Sequence, residues 1–359
     1  MKWLDRRLLD LFGIEHPIIQ APMAGPSTPQ MAIAAAKAGA LGSLAAAMLT
    51  PDLLRGQLQT VRQQTDRPIN VNFFCHVPPV VDAGREAGWR KRLEGYYDEL
   101  GVPVSAADGG AVRTPYGAAM GELLLEFRPK VASFHFGLPE EALLKPLRDA
   151  GILIVSSATT VEEACWLEAR GVDAVIAQGA EAGGHRGMFL TDSIASQPGT
   201  MALVPQVVDA VKVPVIAAGG ISDGRGVAAA LALGAAGVQV GTAFLLSPES
   251  KTSQVHRAAL KSQTADVTVL TNVFTGRPAR GIVNRIIREV GPIAPEAPTF
   301  PLAAGAATPL RAAGEAKGSG DFSPLWSGQS ARLVREMPTG DIVASLVAET
   351  AVAFRRVQG

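Results

Sequence analysis

The residues best placed to do chemistry in this chain lie at 173–187, DAVIAQGAEAGGHRG. An apolar run there leads into glycines, one histidine and one arginine. Gly183 and Gly184 carry no Cβ, so the backbone can approach a flat ligand closely. His185 follows the end of an expected strand, where a rigid scaffold can hold a side chain and leave it accessible. Its ordinary pKa lies near neutrality, which suits a general base. A structural role is the competing reading for any lone histidine; the flanking glycines and Arg186 favour catalysis here. Arg186 suits a phosphate or a helix-end carbonyl. The chain has five histidines. His16 precedes a proline ahead of the first strand and reads as structural. His256 falls in a polar helical stretch and reads as solvated. His76 and His135 lie near strand ends and are candidate roof residues.

Two further glycine clusters have the form of a phosphate site. The stretch 214–226 reads PVIAAGGISDGRG and 237–244 reads GVQVGTAF. Each is a short apolar run ending in glycine, as expected where backbone N–H groups cradle an anion. Gly219, Gly220, Gly241 and Thr242 are the positions chosen. Either cluster alone also fits a plain tight turn. A third set suits a flat ring. Ala21, Pro22, Met23 and Ala24 follow the first strand, and Asn72 and Gln178 end two others. Amides carry both donor and acceptor and match the edge of an isoalloxazine ring. Strand-end capping is the ordinary reading for any one of them, and their convergence argues for a ligand.

These residues need a scaffold that brings strand ends together. Apolar runs at 17–20, 41–44, 68–72, 131–134, 152–155, 173–177, 213–217 and 237–240 alternate with alanine-rich helical stretches. Ser27 or Thr28 is a candidate cap for the first of these helices, with Gly39 as its stop, and Thr50 caps the next with Pro51 at its first position. Eight strand–helix units predict an α/β fold of the (β/α)8 TIM-barrel type, with long insertions after strands 3 and 8. A doubly wound open sheet is the alternative, but no GxGxxG follows the first strand. The insertion at 75–130 carries a charged patch at 85–99 and a glycine-rich stretch at 101–117. The second, at 250–327, contains a Pro-, Ala- and Gly-rich run at 291–323 that is expected to wrap over the surface. The expected organisation is a cofactor-binding barrel over 1–246, a lid over 247–328 and a C-terminal helix within 329–359. In such a barrel, loops after strands 7 and 8 are the usual phosphate cradle and excursions roof the site.

Composition narrows the class. The chain is 47% hydrophobic and 18% charged with a formal net charge of zero, so no global field favours nucleic acid or an anionic membrane. Two cysteines, Cys75 and Cys165, form no CxxC and read as packed thiols in a reducing compartment. The N-terminal stretch lacks an apolar signal segment and no run is long enough to span a bilayer, so a cytoplasmic enzyme is expected. A homo-oligomer is compatible with this reading.

The motifs QAPMAG, NVNFF, FHFGLP, QGAEAGGHRG, AAGGISDGRG, VQVGTAF and the late PLWSGQSA, which contains Trp326, resemble the nitronate monooxygenases, formerly 2-nitropropane dioxygenases. The resemblance covers nearly the whole chain, and QGxEAGGHRG is its most specific part. It implies a TIM barrel, one non-covalent FMN, and oxidation of alkyl nitronates by O2 to a carbonyl compound and nitrite. By the same resemblance Asn72, Gln178, Gly183, Gly220, Gln239, Val240, Gly241 and Thr242 would hold FMN, and His185 would be the active-site histidine. It would deprotonate neutral nitroalkanes or place the anionic nitronate. The FMN- and NADPH-dependent enoyl-acyl-carrier-protein reductases share the fold and glycine motifs and stand as the alternative. A non-catalytic phosphosugar- or nucleotide-binding barrel needs the phosphate glycines without Asn72, Gln178 and His185.

Overall fold

Short apolar runs bounded by glycine or proline become strands buried on both faces, as a sheet covered on each side requires. The computed structural model describes residues 3–105 and 113–358. Its strands are β1 (Ile18–Gln20), β2 (Gly42–Ala45), β3 (Ile69–Phe74), β4 (Val131–His135), β5 (Leu153–Ala158), β6 (Ala174–Gln178), β7 (Gly184–His185), β8 (Val215–Ala218), β9 (Gly237–Val240), β10 (Thr268–Thr271) and β11 (Ala279–Ile282). Eight of them form one parallel sheet in the order β1-β9-β8-β6-β5-β4-β3-β2. A parallel bridge from Ile19 to Leu41 brings β1 back to the start of β2 and closes the barrel. The (β/α)8 expectation is therefore met, with strand ends within a few residues of the apolar runs.

The helices are α1 (Arg7–Phe12), α2 (Pro29–Lys37), α3 (Pro51–Gln64), α4 (Ala83–Leu100), α5 (Ala118–Phe127), α6 (Glu141–Asp149), α7 (Val161–Glu168), α8 (Thr200–Ala210), α9 (Gly224–Ala232), α10 (Gln254–Leu260), α11 (Arg285–Val290), α12 (Ala304–Ala316) and α13 (Thr339–Gln358). Capping residues set their starts. Thr28 Oγ1 accepts from Met31 N at 3.1 Å and Thr50 Oγ1 from Leu53 N at 3.3 Å, each followed by proline at the first helical position. The barrel has two ends of different character. At the bottom, Leu8, Leu9 and Phe12 of α1 join Ile19, Leu41, Val155, Ile176 and Ile216 in one buried cluster. That plug seals the interior, so the open end is the one where the strands finish. His16 accepts from Trp3 Nε1 at 3.3 Å at this sealed end, the structural place expected for it.

The two excursions meet each other above the open end. Trp89, Leu93 and Tyr97 of α4 share a buried cluster with Phe274, Ile286, Ile287, Leu310 and Phe322. The Pro-, Ala- and Gly-rich run at 291–323 is therefore not a surface wrap. It contains α12 and buries Phe300, Ala303, Ala306 and Leu310, because its alanines let α12 lie close against α4. The 106–112 part of the glycine-rich stretch lies outside the described residues. At the outer wall α13 packs on α9 so closely that a Cβ on Gly224 would stand 2.3 Å from Thr350 N.

Two cysteine and histidine readings change. Cys165 is exposed on α7 rather than packed, because its position faces outward; Cys75 is partly covered and burial pushes its thiol pKa up. His256 is not solvated. It is buried on α10 because that polar helix runs beneath the late excursion, and burial lowers its pKa to about 4. No helix among the described residues is long and apolar enough to cross a membrane.

Candidate active site

The open end of the barrel leads into a cavity of about 500 Å³. Ala21, Pro22, Met23, Ala24, Asn72, Gln178, Gly183, Gly184, His185, Gly219, Gly220, Gln239, Gly241 and Thr242 all line it. Thus the strand ends converge as the sequence pattern required. Val240 does not line the cavity: its side chain is fully buried in the barrel wall and its carbonyl accepts from Ala21 N at 2.8 Å.

One wall is made of backbone. Gly219 and Gly220 have φ values of +119° and +69°, a region open to glycine and strained for other residues. Among the described residues, the N–H groups of Gly219, Gly220, Gly241 and Thr242 find no acceptor within the chain. A Cβ placed on Gly241 would sit 3.5 Å from Ala21 Cβ, an ordinary contact, so folding alone does not demand glycine there. Nearby, Gln239 Oε1 is buried without a partner. Free donors beside glycine backbone, with an orphaned acceptor alongside, suit a phosphate monoester carried by a polar ring system.

The amides divide their labour differently from the expectation. Asn72 donates through Nδ2 to Ser133 O at 3.2 Å and to Ser133 Oγ at 2.9 Å, which leaves its carbonyl oxygen for a ligand. Gln178 spends both functions on the chain itself. Its Nε2 donates to His185 O at 3.0 Å and its Oε1 accepts from Gly187 N at 2.8 Å. It therefore anchors the histidine loop while its amide still lines the cavity. Arg186 binds neither a phosphate nor a helix end. It is fully buried, and donates to Gly179 O and Gln178 O, both at 2.7 Å, and to Gln197 Oε1 at 3.0 Å. The guanidinium fork binds the carbonyls at and just after the end of β6, Gly179 O also accepting from Ala182 N at 3.1 Å.

His185 sits on β7, which pairs antiparallel with β11 in the small sheet β10-β11-β7. The histidine motif is thus a strand of the roof and not a free loop. Its Nε2 lies 2.9 Å from Thr275 Oγ1 on the β10–β11 connection. Behind it, His135 Nε2 donates to His185 O at 3.2 Å and its Nδ1 accepts from Ser157 Oγ at 2.6 Å. Burial pushes its pKa down to about 3, and a neutral ring fits both contacts. Burial likewise holds the His185 pKa well below its ordinary value, with Arg113, His135, Arg277 and His76 adding in the same direction. Burial therefore favours the neutral imidazole.

Aromatic rings box the imidazole. Phe74, Phe136, Phe300 and Trp326 have ring centroids 6.1, 6.1, 5.3 and 5.5 Å from it. Phe136 is held at φ +72°, an uncommon backbone state for a bulky residue and one that functional sites often retain. Arg277 stacks on its ring at 4.1 Å and donates to Met188 O. Sequence reasoning missed Arg113, Thr275, Arg277 and Phe300. They come from the excursions, where no motif or period marks them. The box is aromatic with two guanidinium groups against its rings, and the cradle is polar and anion-seeking.

The nitronate monooxygenase family model matches residues 5–349. A nitronate monooxygenase of Pseudomonas aeruginosa is 44% identical over 345 residues, covering 96% of this chain and 98% of its own. That of Paraburkholderia phytofirmans is 43% identical over 349 residues, covering 96% and 94%. Among solved structures, a nitroalkane oxidase from Streptomyces ansochromogenes superposes with a TM-score of 0.90 at 42% identity, covering 98% of this chain and 99% of its own. FabK from Thermotoga maritima superposes less well, with a TM-score of 0.74 at 30% identity and 98% coverage of each. The barrel, the histidine strand and the matched family model agree: the chain is an oxidoreductase that belongs to the nitronate monooxygenase family.

Proposed function

We propose that this protein binds FMN and uses it to oxidise alkyl nitronates with O2, releasing a carbonyl compound and nitrite. The family is flavin-dependent. The observation that carries the reading is the pairing of a half-buried His185 inside an aromatic box with a wall of unpartnered backbone N–H groups. In this reading the barrel residues up to 246 hold the cofactor and the 247–328 excursion covers it. Gly219, Gly220, Gly241 and Thr242 donate to the single phosphate of FMN. The free oxygens of Asn72 and Gln239 accept from the ring, and Ala21 to Ala24, with Gly183 and Gly184, line its faces. A flavin supplies one-electron chemistry and reaction with O2. The chain supplies the rest. The Phe74, Phe136, Phe300 and Trp326 rings exclude water from the alkyl group, and His185 takes the α-proton of a neutral nitroalkane.

An oxygen electrode and a nitrite assay test the reading. The expected result is oxygen uptake and nitrite release from alkyl nitronates without NAD(P)H. Rapid flavin reduction by NADPH, with reduction of an enoyl thioester and no nitronate turnover, would move the protein to the reductase chemistry. Acid release of the cofactor and chromatography should yield FMN; recovery of FAD would overturn the single-phosphate assignment.

A further inference from the structure

The cavity holds a cation that the chemistry above leaves unused. Arg113 lines it, half-buried at the end of the first excursion. Its Nε and Nη1 are buried and have no hydrogen-bond partner. Among the described residues, Glu315 is the one carboxylate lining the cavity, and it already bonds Arg311 Nε at 2.9 Å and Ser323 Oγ at 2.8 Å. Arg277, a neighbouring roof cation, is better compensated, although its Nε too is buried without a partner. Arg277 stacks on Phe136 and donates to Met188 O, and Asp192 and Glu163 act on it as opposite charges. Among the described residues no carboxylate does so for Arg113; the charge it senses is another guanidinium, that of Arg311.

A buried guanidinium without a counter-charge is costly, and the cost is relieved when an anion enters. Position says which anion. The Arg113 guanidinium lies 5.4 Å from the Phe300 ring centroid, and the His185 ring lies 5.3 Å from the same centroid. The cation and the imidazole therefore share one aromatic wall. A planar guanidinium fork matches two oxygens in a plane, the geometry of an O–N–O group.

We propose that Arg113 holds the charged NO2 group of the nitronate and so sets a preference for the anion over the neutral nitroalkane. The proposal rests on the nitronate reading above. Arg113 is the specificity-determining residue; His185 acts on the carbon-bound proton when one is present. In the ligand-free site the Arg113 charge has only the like charge of Arg311 acting on it, and a bound anion offsets both.

Nitrate is the probe, since it is planar, anionic and inert to oxidation. Wild-type flavin-loaded protein should bind nitrate, seen as a change in flavin absorbance, and nitrate should compete with the nitronate. Arg113→Met should weaken nitrate binding and raise the nitronate KM by about tenfold to a hundredfold, the range for a lost charged hydrogen bond. Its kcat, and its KM for the neutral nitroalkane, should move within about threefold. Arg113→Lys should recover much of the nitrate affinity, because the charge remains. If Arg113→Met fails to load flavin, Arg113→Gln serves as the second neutral variant. Nitrate that does not bind the wild type, or binds the neutral variants equally well, overturns the proposal. So does an equal rise in KM for nitronate and nitroalkane, the mark of a structural role. A wild type that binds nitrate through Arg113 yet turns over no nitronate would sink the nitronate reading and leave Arg113 as an anion site.

Discussion

The two walls of the cavity are built in opposite ways. The cradle at the ends of β8 and β9 is backbone: its working groups are N–H donors of Gly219, Gly220, Gly241 and Thr242, and its side chains are mostly absent. The roof is side chain: His185, Trp326 and Arg113, with Phe300 and Thr275 packed behind them, arrive from five separate places in the sequence. A backbone wall is specified by short runs that must turn tightly, and its ligand is any suitably placed anion. A side-chain wall is specified by tertiary packing of distant segments, and its residue types can change without altering the barrel. Under the proposed function, cofactor binding falls to the first design and choice of substrate to the second.

The sharpest way to separate the walls is His185→Asn. If the roof does the proton chemistry and the cradle the binding, flavin content should be unchanged. Turnover of a neutral nitroalkane should fall by about two to four orders of magnitude, the usual contribution of a placed base. Turnover of the pre-formed nitronate should fall less. An unchanged ratio of the two activities would leave His185 with placement or structure alone.

Gly241→Val probes the other wall. A Cβ there meets only Ala21 Cβ at 3.5 Å and Met23 Sδ at 3.9 Å, so the apo protein should melt near the wild-type temperature. The side chain would crowd the phosphate, and loss of one or two charged hydrogen bonds should weaken FMN by roughly tenfold to a hundredfold. Equal destabilisation of apo and loaded protein would show a plain turn residue.

Thr275→Ala removes the partner of His185 Nε2. A neutral hydrogen bond contributes about 1 kcal/mol, so nitroalkane kcat/KM should fall by no more than about tenfold with flavin affinity unaltered. A loss as large as that of His185→Asn would make the hydroxyl a participant rather than an orienting group.

The smallest expected effect concerns pH. An imidazole acts as a base only when neutral, and burial lowers the His185 pKa well below 6.5. The neutral form is therefore complete above pH 6.5 and persists as pH falls through that value toward the lowered pKa. The nitroalkane kcat/KM should show no acid limb from His185 between pH 8 and 6. A limb centred at 6.5 or above would mean that the loaded site returns the histidine to an ordinary pKa.

Much of this was legible before folding. Buried runs such as Ala174–Gln178 and Val215–Ala218 became barrel strands because parallel strands covered on both faces must be apolar throughout. Thr28 and Thr50 announced helix starts because a hydroxyl ahead of a proline satisfies free N–H groups there. The anchoring roles of Gln178 and Arg186 were not legible, since an amide or guanidinium at a strand end suits a ligand and a carbonyl equally well. His256 and the 291–323 run were misread as exposed because polarity and low complexity describe a segment, not what packs over it.

The sequence by itself determined the strand–helix alternation, the glycine turns at strand ends and the histidine beside them, because each follows from local sterics and short-range periodicity. The tertiary structure alone decided that α1 plugs the bottom, that α4 and α12 join as a roof, and that Arg113 and His185 share the Phe300 ring. Those contacts link residues far apart in the chain, and they depend on how buried surfaces fit, which no local pattern encodes.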